Sequence, residues 1–246
     1  MANPLRSPDA TATPCDAPAG LDPAALYRLM TFMSPGYPVG AFSWSSGLER
    51  AVEAGCVRDA ATLGAWLTTL AGHGSVACDA VLFCAAFRAV ATGDATRLAA
   101  TAELAAALAG SKERFLETTT QGRAFLDITR AAWPSPALEG LAAAWDGPLA
   151  YPVAVAAACA GHGITLVAAL AGFLHASVSN LVSAAVRLIP LGQTDGQRVL
   201  AALEAPLARA AERARATAPD DIAMAAVRAD IACMQHETQY TRLFRS

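Results

Sequence analysis

The sequence predicts an all-α, single-domain bundle of about ten helices over residues 23–235. Three observations predict it. Alanine, the strongest helix former and a poor filler of strands, occupies 61 of 246 positions. Hydrophobic residues make up 54% of the chain and charged residues 16%, which supplies one large core and argues against global disorder. Apolar residues recur at steps of three and four, and no period-two alternation of useful length appears.

The elements follow in order. Residues 1–22 are rich in Ala, Pro, Thr and Asp and read as a disordered tail. Asp22-Pro23 is a helix cap followed by proline in the first turn. Leu26, Leu29, Met30 and Met33 form one apolar face, and Pro35 ends that helix. Residues 34–47 carry two prolines, three glycines and the aromatics Tyr37, Phe42 and Trp44, the composition of an ordered loop. Such a loop is either a structural connection or a surface that faces a partner.

A short helix is expected over 46–54, stopped by Gly55. Asp59 caps the next, whose stripe is Leu63, Trp66, Leu67 and Leu70. Helices follow over 75–91, 94–109, 111–131, 137–145 and 152–160, separated by Gly93-Asp94, Gly110-Ser111 and Pro134-Ser135-Pro136. From Gly147 to Val186 there is no Asp, Glu, Lys or Arg. Prolines and glycines interrupt this stretch, so it reads as the buried centre of a bundle or a subunit interface rather than a membrane span.

The longest segment begins at Ile164, with Val167, Leu170, Leu174, Val178, Leu181, Ala185 and Leu188 on one stripe. Asn180, Ser183 and Arg187 share another face. Arg187 either favours the negative end of the helix dipole or is presented to a partner. Pro190-Leu191-Gly192 breaks the helix. Thr194 and Gln197 then have the spacing of a capping box. Leu200, Leu203 and Leu207 continue, with a bend or restart at Pro206. After Pro219, Met224, Val227, Ile231 and Met234 line one face of a last helix. Residues 236–246 include Tyr240, Leu243 and Phe244, too apolar for a solvated tail, so this segment is expected to dock.

Reactive chemistry finds little support. The net charge is −3 and the arginines are dispersed, which argues against nucleic acid as a partner. The sole lysine, Lys112, lies outside any phosphate-binding loop. Neither HExxH nor GxSxG is present. Cysteines 15, 56, 78, 84, 159 and 233 show no CxxC spacing, and no secretion signal precedes them. Reduced thiols in a cytoplasmic protein are expected, the inner ones behaving as small buried hydrophobes. The pairs Cys159/His162 and Cys233/His236 could each offer two metal ligands, with no obvious third. The expectation is therefore no enzyme, no cofactor, no metal site and no membrane, but an interaction protein.

Three segments carry a resemblance. Residues 29–49 read LMTFMSPGYPVGAFSWSSGLE. Residues 180–197 run from Asn180 into RLIPLGQTDGQ. Residues 230–246 run from Asp230 into HETQYTRLFRS. In this order they resemble the UreF family, over residues 24–246. Trp44 stands where the family pattern has tyrosine, so any hydrogen bond of that hydroxyl is lost.

The resemblance implies a non-catalytic scaffold that forms a homodimer and binds UreD (also UreH) and the GTPase UreG to deliver nickel to apo-urease. It implies that Pro35, Pro38, Gly40, Phe42, Ser43 and Trp44, with Glu237, Tyr240, Arg242, Leu243, Phe244 and Arg245, face UreD or order one another on binding it. Arg187, Pro190, Leu191, Gly192, Gln193, Gly196 and Gln197 would lie on the surface offered to the GTPase. An alternative within the same resemblance is a direct regulator of GTP hydrolysis, with Arg187 acting on the GTPase. For the seam of the dimer, the uncharged 147–186 region is the first expectation.

Overall fold

The structure, a computed structural model, describes residues 22–246, and the tail expected over 1–22 lies outside them except for Asp22. Among the described residues there are eleven α-helices and no strands. They are α1 (Pro23–Phe32), α2 (Leu48–Glu53), α3 (Ala60–His73), α4 (Ser75–Thr92), α5 (Ala95–Ala107), α6 (Lys112–Ala132), α7 (Pro136–Ala144), α8 (Tyr151–Gly161), α9 (Leu166–Leu188), α10 (Gln193–Ala216) and α11 (Val227–His236). Side chains set many of the starts. Asp22, Asp59, Asp94, Ser111 and Thr165 each accept from a backbone N–H of the first turn, and Asp59 and Thr62 form a reciprocal capping box.

Helix α8 lies at the centre, against α4 and α6, with α5, α7 and α9 around it. Every residue from Pro152 to Cys159 is buried. Four of them are alanines, whose small side chains let the neighbouring backbones approach closely. Gly122 shows how closely: a Cβ there would sit 2.0 Å from the Leu149 carbonyl oxygen. Helix α10 packs across α3, α4 and α9, α11 lies on α2 and α6, and α1 lies on α9. An aromatic group of Phe32, Tyr37, Phe125, Tyr151 and Phe173 runs through the interior with ring centroids 5.1–5.9 Å apart.

Several expectations change. Thr194 does not cap α10: the helix starts at Gln193, with Gly192 as a cap that has no side chain to offer. Pro206 sits inside a continuous α10 instead of restarting it. Helix α2 begins at Leu48 because Ser46 and Gly47 both take positive φ, 50° and 77°. Of the stripe expected to face the core over 224–234, Met224 packs against it from just before α11, and the rest faces outward. Val227, Ile231 and Met234 are exposed, while Ala229, Ala232, Cys233 and His236 point inward. Close packing on α2 and α6 selects the small residues of α11 for the inner face. Cys56 is exposed, unlike the other described cysteines.

The uncharged 147–186 region divides as well. Its α8 half is consumed by the core, so only the outer side of α9 remains free for a subunit seam. Two stretches, Ala60–Thr92 and Leu166–Leu188, are long and apolar enough to cross a membrane. The first is broken at Gly74 between α3 and α4. The second buries Leu170, Leu174, Val178, Leu181 and Ala185 of its expected stripe and exposes Val167.

Two glycines in helices give opposite expectations. Gly122→Ala should lower stability by about 3 kcal/mol, because the methyl meets backbone that cannot move aside. Gly140→Ala, with nothing within 4 Å of the new Cβ, should raise it by about 0.5–1 kcal/mol. Chemical denaturation of the two variants checks both signs.

Candidate functional site

The 34–47 segment is ordered by what it buries. Tyr37 lies under the chain among Phe32 and Phe125, and its hydroxyl bonds the Thr129 hydroxyl at 2.7 Å. Burial pushes the Tyr37 phenol above its usual range, with the Thr129 bond opposing. Val39 and Trp44 are also buried, and Pro35, Pro38 and Phe42 are exposed. Gly40 turns the chain at φ 72°. At Gly47 a Cβ would lie 2.7 Å from both the backbone nitrogen and the sulfur of Cys233, so only glycine fits between this loop and α11.

The face of α9 expected from the sequence meets this loop. Asn180 donates to the carbonyls of Ala41 and Trp44, at 3.0 and 3.4 Å. Arg187 donates to Ser183 O on its own helix at 3.2 Å and to Phe42 O at 2.9 Å. Its guanidinium also covers the Phe244 ring at 4.3 Å. Arg187 is therefore a clip that joins α9, the loop and the last residues of the chain.

Those last residues lie in a cradle. The Arg245 amide donates to Ser43 O, and the Ser45 amide donates to Ser246 O at 3.0 Å. The Ser45 hydroxyl also donates to Ser246 O, and the Ser46 amide donates to the Ser246 hydroxyl. Arg245 stacks 5.1 Å from the Trp44 ring centroid. The departure from tyrosine at this position thus gives a broad buried ring that supports a guanidinium.

Beneath the cradle lie three buried glutamates. Glu49 accepts from the amides of Leu243 and Phe244, at 2.7 and 2.9 Å, and faces His236 Nε2 at 3.1 Å. Glu113 faces His236 Nδ1 at 2.7 Å and pairs with Arg242 at 2.8 Å. Glu117 accepts from the Ser46 hydroxyl and pairs with Arg114, which also bonds Asp79 on α4. Buried carboxylates without partners cost several kcal/mol each, so this network decides where the segment lies.

The sequence motifs thus converge. Segments 40–49, 180–187 and 242–246 form one continuous surface, with Phe42 and Leu243 projecting from it and Tyr240 exposed two residues before its last segment. Trp44 and Phe244 are buried within it and hold its shape. Glu237 accepts from the Lys112 amide. The 190–197 turn makes local bonds: Leu191 N to Ile189 O, Gly196 N to Gly192 O, and Arg198 to Asp195. Pro190, Gly192, Gln193 and Gln197 are exposed, Leu191 is half-buried, and Gly196 packs under Val182 and Val186.

Glu113, Glu117 and Arg114 were not singled out from the sequence. The only signal was a pair of acids one turn apart on a helix, the pattern of a solvated face.

Both candidate metal pairs are otherwise engaged. His162 bonds Trp133 O at 3.0 Å, and burial lowers its proton affinity. His236 is held by the two glutamates. Burial pushes the thiols of Cys78 and Cys233 up to about 12 and that of Cys84 up to about 11. Cys159 rises still higher. These four remain neutral thiols, poor as nucleophiles and as ligands. Among the described residues no group of three or more His, Cys, Asp or Glu is placed to hold a metal ion.

The cradle is tested at Glu49. Glu49→Gln keeps the volume but turns an acceptor into a donor facing N–H groups. It should cost about 2–4 kcal/mol and speed tryptic cleavage after Arg242.

Comparison with known proteins gives the family of the chain. The UreF family model matches residues 57–204. A urease accessory protein UreF of Bradyrhizobium diazoefficiens is 57% identical over 93% of this chain and 94% of its own length. Proteins of the same name from Rhodopseudomonas palustris strains BisB5 and BisB18 are 57% and 58% identical, covering 98% and 91% of this chain and 98% and 92% of their own. With more than half of the chain inside the family model and relatives this similar along nearly its whole length, the chain belongs to the UreF family of urease accessory proteins.

Proposed function

We propose that this chain is a cytoplasmic scaffold for maturation of the urease nickel centre. In this reading it bridges UreD (UreH) and the GTPase UreG and presents them to apo-urease, with no catalysis, cofactor, nucleic acid or membrane of its own. The observation that carries the reading is the convergence of three distant motifs on one surface. That surface has no reactive group at its centre, only exposed apolar side chains held by internal bonds. Phe42, Tyr240 and Leu243, together with the outward stripe Val227, Ile231 and Met234 on α11, form a docking face for UreD. The exposed 190–197 turn is the face offered to the GTPase.

Self-association has a separate candidate. Helix α1 rests on α9 through Leu29 and Met33 against Gly172 and turns Leu26, Tyr27 and Met30 to solvent. Val167 of α9 is exposed too. A homodimer through these faces would cover them. Direct stimulation of GTP hydrolysis by Arg187 is the weaker reading, because its Nε, one of its Nη groups and one flat face of its guanidinium already bind Ser183 O, Phe42 O and the Phe244 ring.

Co-purification tests the docking face. The double variant Tyr240→Asp/Leu243→Asp should lose capture of UreD at least tenfold while melting within a few degrees of wild type, since both side chains are exposed. Undiminished capture would reject the face. For the clip, Arg187→Ala should weaken assembly and leave GTP turnover per assembled UreG unchanged. A fall in turnover within an intact complex would favour the regulator instead.

A further inference from the structure

We propose that the groove between α3 and the first turn of α11 receives a short segment of a partner protein that pairs an apolar side chain with a carboxylate. The inference deepens the docking reading above. It rests on that reading's claim that the α11 stripe is an interface, whichever protein sits on it, and names the chemistry the partner brings. The groove has a volume of about 410 Å3, with Cys56, Trp66 and Leu70 on one side and Ala225 to Ala229 on the other. The Ala225 amide donates to His73 O at 2.8 Å and ties the second wall to the end of α3.

Unpaired donors identify the occupant. Helix α11 begins without a side-chain cap, at Ala226, and among the described residues the amides of Val227 and Arg228 meet no acceptor. Such a turn carries the positive end of the helix dipole and favours an anion. The Trp66 indole nitrogen, in the same lining, is closed to solvent and has no hydrogen-bond partner among the described residues. Buried N–H groups nearly always have an acceptor, so this one calls for an oxygen from a ligand. The hydroxyls of Thr62 and Thr69 also line the groove but are engaged, with Asp59 and with Ala65 O.

Charge points the same way. Arg228 is the only charged residue among the described residues of the lining, and it is exposed. The acids nearby face elsewhere. Asp59 caps α3 beside Arg58, Glu53 pairs with Arg50, and Asp230 lines a separate small cavity with Cys78 and Arg114. Donors and charge therefore match a carboxylate. The apolar half of the match lies beside the groove. Val227 belongs to the lining, and Ile231 and Met234 continue from it along α11, all three exposed. From Val227 to Met234 the stripe runs about 10 Å, at roughly 1.5 Å per residue. A free anion leaves this stripe wet. A peptide that seats its carboxylate on the α11 turn lays its apolar side chains over Trp66 and the stripe.

The test immobilises the full chain and selects binders from a library of blocked random hexapeptides. The expected result is enrichment of Asp or Glu next to Leu, Ile, Phe or Met. Added to the chain labelled with nitrogen-15, the selected peptide should shift the Trp66 indole N–H and the Val227 and Arg228 amides. Replacing its acid by the corresponding amide should weaken binding by about tenfold or more. Arg228→Glu should weaken it equally while melting within a few degrees of wild type, since the side chain is exposed. Trp66→Phe keeps an aromatic ring without the N–H and should weaken binding by roughly threefold or more. Selection without an acid, shifts away from the α11 turn, or equal binding of the acid and amide peptides would each overturn the proposal. So would acetate alone moving the same signals at the concentration of the peptide. No urease protein enters this readout: UreD capture that fails while the peptide binds rejects the bridging reading and leaves the groove standing.

Discussion

Three buried glutamates need more hydrogen-bond donors than their own helices can supply, and the rest of the surface follows from that need. Glu49, Glu113 and Glu117 sit where α2, α6 and α11 meet. A helix satisfies its own backbone and leaves nothing over for an inward carboxylate. Beyond Arg114 of α6 itself, the donors come from a histidine on α11, a serine before α2, and Arg242 and the amides of the last residues. Each belongs to a different part of the chain. Meeting the demand therefore brings remote segments together, and the apolar groups they carry are displayed side by side.

The alanine-rich interior makes such a demanding arrangement tolerable. Helix α8 fills the centre with small side chains, α4 and α6 close on it, and the Gly122–Leu149 contact leaves no slack. Tyr37 fastens the loop to this body through Thr129 on α6, the helix that also carries Glu113 and Glu117. Loop and acids are thus referenced to one rigid element. Small relative motions that would break several charged hydrogen bonds at once are suppressed.

The helices were legible in the sequence because their causes are local. Asp59 and Ser111 mark starts, and the period of the α9 stripe identifies its inner face. The failures were not local. The apolar stripe of α11 reads as a core face by hydrophobicity, yet the tight junction with α2 and α6 accepts alanine and cysteine and turns Ile231 and Met234 outward. Thr194 has a capping spacing, but the helix reaches back to Gln193, guided by the break at Pro190 rather than by a side chain. The acids of α6 look like a solvated face until the partners that bury them, over a hundred residues distant, are in place. Family motifs marked the participating segments without saying that they touch.

The hydrogen bond from the Leu243 amide to Glu49 spans 194 residues. At roughly 5–20 residues per second of synthesis, Glu49 waits about 10–40 s for its acceptor role to be filled. Helices α3 to α9 can pack on one another in that time, since their mutual contacts do not involve the last residues. The convergent surface cannot form until Ser246 has been made. A chain that still lacks residues 242–246 keeps wet, repelling acids where one that has them offers a dry, shaped face.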